Sequence, residues 1–165
     1  MTTSRIPNSL AGVAGVHHVA CGLSLRGLIA LPTIRNSAGI DIIVATLDGN
    51  KHANIQVKTS QRRVHFWPTP PSGVIRANPM DYYVFLRWLP KEKKFEGYML
   101  TGKEAKAEVR WHEALQRRKI QDGIQKCAVL PYVSLNRVRK TQSGKRVLRA
   151  KAGEWKQRWE TWGLA

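Results

Sequence analysis

The chain is 165 residues long with a mass of 18.7 kDa, the size of a single domain, expected here to cover 1–165. A hydrophobic share of 42% excludes wholesale disorder, and no apolar run reaches the about 18–20 residues of a membrane span, which excludes a membrane partner of that kind. Lysine and arginine number 28 against 11 acids, and the net charge of +17 points to a polyanionic partner, DNA or RNA, ahead of a merely solubilising surface.

The N-terminus lacks the basic-then-apolar layout of a signal peptide, so a cytoplasmic location is expected. Cys21 and Cys127 fall in no CxxC pair, which argues against a disulfide framework and against structural zinc. Both are expected to be inert, Cys21 in a packed helix and Cys127 in a strand. The charge is uneven: residues 1–60 carry five basic and two acidic side chains, residues 61–165 carry 23 and nine. A neutral core with a basic binding face is the simplest arrangement.

In chain order, Asn8 is the expected cap of a helix over 9–26, with Gly27 as its stop. Glycines inside it each cost about 1 kcal/mol against alanine, so close packing against another backbone is expected. Leu28–Thr33 reads as a strand, Asn36–Gly39 as a turn and Ile40–Thr46 as a strand. Asp48-Gly49-Asn50 is a hairpin turn, and His52–Thr59 alternates as the returning strand. A proline-rich loop runs from Ser60 to about Pro79. Asp81–Leu89 and Phe95–Leu100 follow as strands around a polar turn, then a helix from Thr101 or Gly102 to Asp122, stopped by Gly123. Cys127–Leu130 reads as a short strand, the basic run at about 136–151 as an exposed arm, and 154–162 as a closing helix. The tryptophans Trp155, Trp159 and Trp162 form one stripe on it, suited to a core or a dimer contact. Strands in series beside a few helices give an α/β domain, a central mixed β-sheet flanked by helices.

Three polar residues fall where catalysis can use them. Asp41 interrupts an otherwise apolar strand, and Gln56 and Lys58 share one face of the next strand, which a tight hairpin brings alongside. A carboxylate is a hard oxygen ligand suited to Mg²⁺, an amide oxygen can add a neutral ligand, and a lysine can stabilise charge on a phosphate. The plain alternative is a turn-capping Asp41 beside a solvated strand face.

The small-residue helix with Ala14-Gly15, the Arg26-Gly27 turn, Gly39-Ile40-Asp41, the Asp48-Gly49 hairpin and the Ile55–Thr59 strand (IQVKT) together resemble the PD-(D/E)XK nuclease superfamily. The closest likeness is to small bacterial members with a QxK variant, including endonuclease-like and Holliday-junction-resolvase-like proteins. The resemblance implies a restriction-endonuclease-like core and metal-dependent hydrolysis of DNA phosphodiesters, with Mg²⁺ or Mn²⁺ as cofactor. It makes Asp41, Gln56 and Lys58 the catalytic set. Asp41, Gln56 and the backbone carbonyl of Val57 would hold the metal. It implies a bacterial, cytoplasmic protein, and a homodimer, because relatives that cut both strands are commonly dimers.

Many relatives carry a glutamate in the first helix just after Ala-Gly. Val16 stands at that position here, and the neighbouring His17 and His18 are candidate supporting residues or plain surface and packing residues. Loss of that acid keeps a second class of function open, a catalytically silent nucleic-acid-binding protein on the same fold.

For the nucleic-acid surface, Arg62, Arg63 and Trp67 leave the end of the QxK strand. The arginines suit phosphates, and Trp67 or Phe66 suits either base stacking or packing against the sheet. The acid-free run supplies Arg137, Arg139, Lys140, Lys145, Arg146, Arg149 and Lys151. In the helix at 103–121, Glu104, Glu108 and Glu113 are interspersed with the basic residues, which reads in part as an ordinary solvated face.

Overall fold

A computed structural model of the chain describes residues 6–34, 39–61, 66–126, 128–135, 138–140, 146–148 and 156–159. Helix α1 covers Asn8–Ser24. Pro7 occupies its cap position, and Asn8 makes no side-chain cap; its Oδ1 instead accepts from Gln61 Nε2. The helix ends in a Schellman motif: Leu28 N–H donates to Leu23 O, Gly27 N–H donates to Ser24 O, and Gly27 adopts φ +79°. Strands β1 (Ile29–Pro32), β2 (Ile42–Ala45) and β3 (His52–Ser60) form an antiparallel meander. Asp48 fixes the β2–β3 turn by accepting from Thr46 Oγ1 and Asn50 N–H, which holds its carboxyl below the ordinary range.

Strand β3 then pairs in parallel with β5 (Asp81–Leu89), which pairs antiparallel with β6 (Lys94–Thr101). The five-stranded mixed sheet has the order β1-β2-β3-β5-β6. A parallel neighbour requires a crossover, and residues between β3 and β5 supply it. That segment is not the plain loop expected from sequence: Phe66–Pro68 form strand β4, which pairs with β7 (Tyr132–Ser134). The short strand expected at Cys127–Leu130 is displaced to β7. The Gln116 amide grips Leu130 through both its N–H and its carbonyl, so that stretch is satisfied without a ladder. Cys127 lies outside the described residues, and Cys21 is exposed rather than packed.

Helix α2 covers Gly102–Gln121. Thr101 and Glu104 form a capping box at its start, and Gly123 at φ +69° closes it, with Ile124 N–H donating to Lys119 O. The two helices cover opposite faces of the sheet. Val19, Ala20 and Leu23 of α1 pack on Ile42, Val44, Ile55, Val57 and Val84. Ala105 and Val109 of α2 pack on Tyr83, Phe85, Tyr98 and Leu100, together with Trp67 and Ile75 of the crossover. Close packing of α1 is real at one glycine: a Cβ on Gly15 would sit 2.0 Å from Thr59 Oγ1, whereas one on Gly12 would meet nothing within 4 Å.

The basic run expected as an exposed arm contains two paired strands, β8 (Val138–Lys140) and β9 (Arg146–Leu148). The expected closing helix is represented by 156–159, whose Trp159 ring lies over Gly97 where a Cβ would come within 2.8 Å of it. Trp155 and Trp162 lie outside the described residues. Among the described residues, no helix is long and apolar enough to cross a membrane.

Candidate functional site

The last β2–β3 pair is Ile42 with Ile55, and Asp41 N–H donates once more to Ile55 O at 2.8 Å. On the other side Asp41 O accepts from Thr33 N–H at 2.9 Å. β2 has no further residue to offer Val57, and the Asp41 carboxylate takes over: its Oδ2 accepts from Val57 N–H at 2.7 Å. The acid is thereby fixed to the middle residue of the Gln56-Val57-Lys58 segment, at the open end of the antiparallel meander. Asp41 is half-buried there.

Alternation along β3 decides which neighbours share its surroundings. The Val57 side chain belongs to the α1-side core and is 8% exposed. Gln56 and Lys58 therefore project from the opposite face, beside their register partners Tyr83 and Phe85, and both are half-buried. The end of Gln56 reaches Gly39, where an added Cβ would lie 3.9 Å from Gln56 Nε2 and 3.6 Å from Arg76 Cδ.

A cleft of about 390 Å³ opens on the α1 side and is lined by Ser9, Val16, His17, Thr33, Asp41 and Val57 among others. It brings Asp41, the Val57 backbone and His17 together; Gln56 and Lys58 do not line it. Val16 does line it, so an apolar side chain occupies the wall where an acid would supplement Asp41. The two histidines separate. Both are exposed, but only His17 lines the cleft; one side of the His18 ring packs on Phe95 at 4.8 Å between centroids, and that partial burial lowers its pKa. His18 does not line the cleft, because adjacent helical positions point about 100° apart.

Among the described residues, no three His, Cys, Asp or Glu side chains gather into a metal cluster. The oxygen donors suit a single hard divalent ion held by one carboxylate, with water and substrate phosphate completing its shell. Asp41 Oδ1, which carries no hydrogen bond among the described residues, is the donor available for it.

Sequence reasoning missed two neighbours. Asp81, 2% exposed, accepts from Asn54 Nδ2, Asn78 N–H and Arg76. Burial pushes its pKa up, but those donors together outweigh it and hold the carboxyl below its ordinary value. Its place at the head of a strand after Asn-Pro was the one available signal. Arg76, which carries no sequence signal, anchors to Asp81 and borders the Gln56 end of the site.

Trp67 is not a stacking platform. Its ring is 1% exposed, its Nε1–H donates to Leu86 O at 2.8 Å, and it packs on Phe85 and Tyr98. A face fully covered by core residues has none left for a base. Phe66 packs on Tyr132 at 4.6 Å. Arg62, Arg63, Arg137, Lys145, Arg149 and Lys151 lie outside the described residues, and the backbone of Arg139, Lys140 and Arg146 belongs to the β8–β9 hairpin. No protein-family model, curated protein or solved structure matches this chain.

Proposed function

We propose that this chain is a metal-dependent DNA endonuclease with a restriction-endonuclease-like core of the PD-(D/E)XK type, acting as a dimer in the bacterial cytoplasm. The single observation that carries the proposal is the 2.7 Å hydrogen bond from Val57 N–H to Asp41, which fastens the strand-end carboxylate to the QxK segment. A net charge of +17 independently supports a polyanionic substrate.

Asp41 would hold the ion at the cleft; the resemblance adds the Val57 carbonyl and Gln56, whose side chain leaves the other face of β3. Bound Mg²⁺ or Mn²⁺ supplies a more acidic water and neutralises charge on the scissile phosphate. The chain's own part is orientation. The Val57 N–H holds Asp41 Oδ2, which would leave Oδ1 for the ion. The QxK resemblance assigns Lys58 the stabilising of charge on a phosphate oxygen, from the face of β3 opposite the cleft. His17 lines the same cleft as Asp41 and is the candidate supporting residue there.

Val16 on the cleft wall favours a second reading, a DNA-binding protein that no longer cuts, because it leaves Asp41 the one acid lining that cleft among the described residues. A cleavage assay separates the two. Supercoiled, linear, branched and single-stranded DNA and an RNA duplex would each be incubated with Mg²⁺, Mn²⁺ or chelator. Metal-dependent cutting of DNA supports the nuclease; salt-sensitive binding without cutting under any condition supports the silent protein.

A further inference from the structure

The sequence mixes three glutamates into helix α2, yet the fold removes all of them from its outer face. Glu104 is taken up by Thr101 N–H and Oγ1 and by Arg158 Nη1 at 2.7 Å. Glu108 and Glu113 are each 9% exposed, and Glu113 accepts from both Ser72 N–H and Ser72 Oγ. The next acid, Asp122, lies past the end of the helix.

What remains outside is one stripe at steps of four and three: Lys103, Ala107, Arg110, Ala114 and Arg117, all exposed. Lys106 and Arg118 flank it. None of these five cations makes an ion pair among the described residues. From Lys103 to Arg117 the ridge runs about 21 Å at about 1.5 Å per residue. Its start adjoins the Gln56 end of the site, across the sheet from the Asp41 cleft: a Cβ on Gly102 would meet Arg76 O at 2.5 Å, and the Arg76 side chain borders Gly39 and the end of Gln56.

We infer that the outer ridge of α2 is a phosphate-binding track for double-stranded DNA. The five stripe positions carry no aromatic or large apolar side chain, which a protein hot spot or a membrane-surface helix requires, and Trp111 beside them is half-buried. The ridge has no stacking platform for unpaired bases. Its lysine and arginine heads are assigned to phosphates, which take most protein–DNA hydrogen bonds and fix position on the duplex. Its helix is about 10–12 Å across, which the about 12 Å major groove of B-DNA admits and the narrow major groove of an RNA duplex does not. The alanines at 107 and 114 keep the ridge low, so cations on either side of them reach the strands. The inference rests on the DNA-binding half of the function proposed above and is independent of the metal chemistry.

The test is binding to duplex DNA in chelator, read as the slope of log K against log salt. The Lys103→Gln/Arg110→Gln/Arg117→Gln variant is expected to lose about 0.9 of slope per phosphate contact, roughly 2.7 in all, on every duplex sequence. A control removing three exposed cations elsewhere, Lys51→Gln/Lys91→Gln/Lys93→Gln, is expected to keep its slope. Equal losses in the two variants, an unchanged slope in the ridge variant, a loss confined to RNA or single strands, or no duplex binding by the wild type would each overturn the track. Cutting is scored separately with metal. A protein that never cuts but loses duplex binding in the ridge variant keeps the track and overturns the nuclease.

Discussion

Asp41 and Val57 are joined by a side-chain-to-backbone hydrogen bond of 2.7 Å that stands where the next rung of the β2–β3 ladder would have been. One acid therefore has two duties, satisfying a strand N–H and presenting its second oxygen to a cleft. The duties separate on mutation. Asp41→Asn keeps an acceptor for Val57 N–H and is expected to cost less than 1 kcal/mol of stability. Asp41→Ala leaves the N–H without its partner and is expected to cost about 1–3 kcal/mol. Urea unfolding measures both; a larger loss for Asn than for Ala contradicts the assignment.

Gly15 and Gly12 give opposite expectations from the same helix. Gly15→Ala drives a methyl to 2.0 Å from Thr59 Oγ1 and 3.3 Å from Leu86 Cδ1, and is expected to destabilise by about 1–3 kcal/mol despite alanine's better helix propensity. Gly12→Ala meets open space and is expected to stabilise by about 0.5–1 kcal/mol. Adding Thr59→Ala to Gly15→Ala should return part of the loss. Midpoints of chemical denaturation at constant m report all three.

Asp81 makes stability depend on acid. Its folded pKa lies below the unfolded value of about 3.9, so the unfolded chain binds more protons as pH falls through that interval. Its contribution is complete above about pH 4 to 5 and is lost as pH drops through the lower folded value. Asp81→Asn is expected to cost roughly 1–3 kcal/mol at neutral pH, with the gap to wild type narrowing on acidification. A gap that stays constant or widens between pH 5.5 and 2.5 contradicts it.

Trp67 ties the crossover to the sheet through Leu86 O. Trp67→Phe keeps most of the buried ring but removes that hydrogen bond and leaves a partial void, with an expected loss of about 1–3 kcal/mol. DNA affinity should be unchanged beyond the effect of unfolding. A large affinity loss in a stable Trp67→Phe protein would return the residue to the binding surface.

Most elements were legible because their signals are local. Gly27, Gly49 and Gly123 all adopt positive φ where turn chemistry placed them, and Asp81–Leu89 matches its strand at both ends. The β4–β7 pairing was not legible, since three-residue strands carry no period and their partners lie far apart in sequence. Trp67 misled as a base-stacking candidate because its basic neighbours suggested an exposed loop, while the contact that buries it is tertiary. At the site, the approach of Asp41 to the QxK segment followed from the hairpin. The split between Asp41 on the cleft and Gln56 and Lys58 on the other face of β3 required the actual positions of both helices. The acid-free outer face of α2 was hidden for the same reason: composition counts Glu108 and Glu113, and only packing reveals that they face inward.

The most direct measurement is single-turnover cleavage of a labelled DNA duplex at saturating protein, for the wild type, Asp41→Asn and Lys58→Met. With Mg²⁺ or Mn²⁺ the wild type is expected to cut, and both variants are expected to fall by at least about 100-fold while binding the duplex as before. Cleavage that survives Asp41→Asn, or a wild type that binds the duplex but never cuts it with either metal, would contradict the nuclease account.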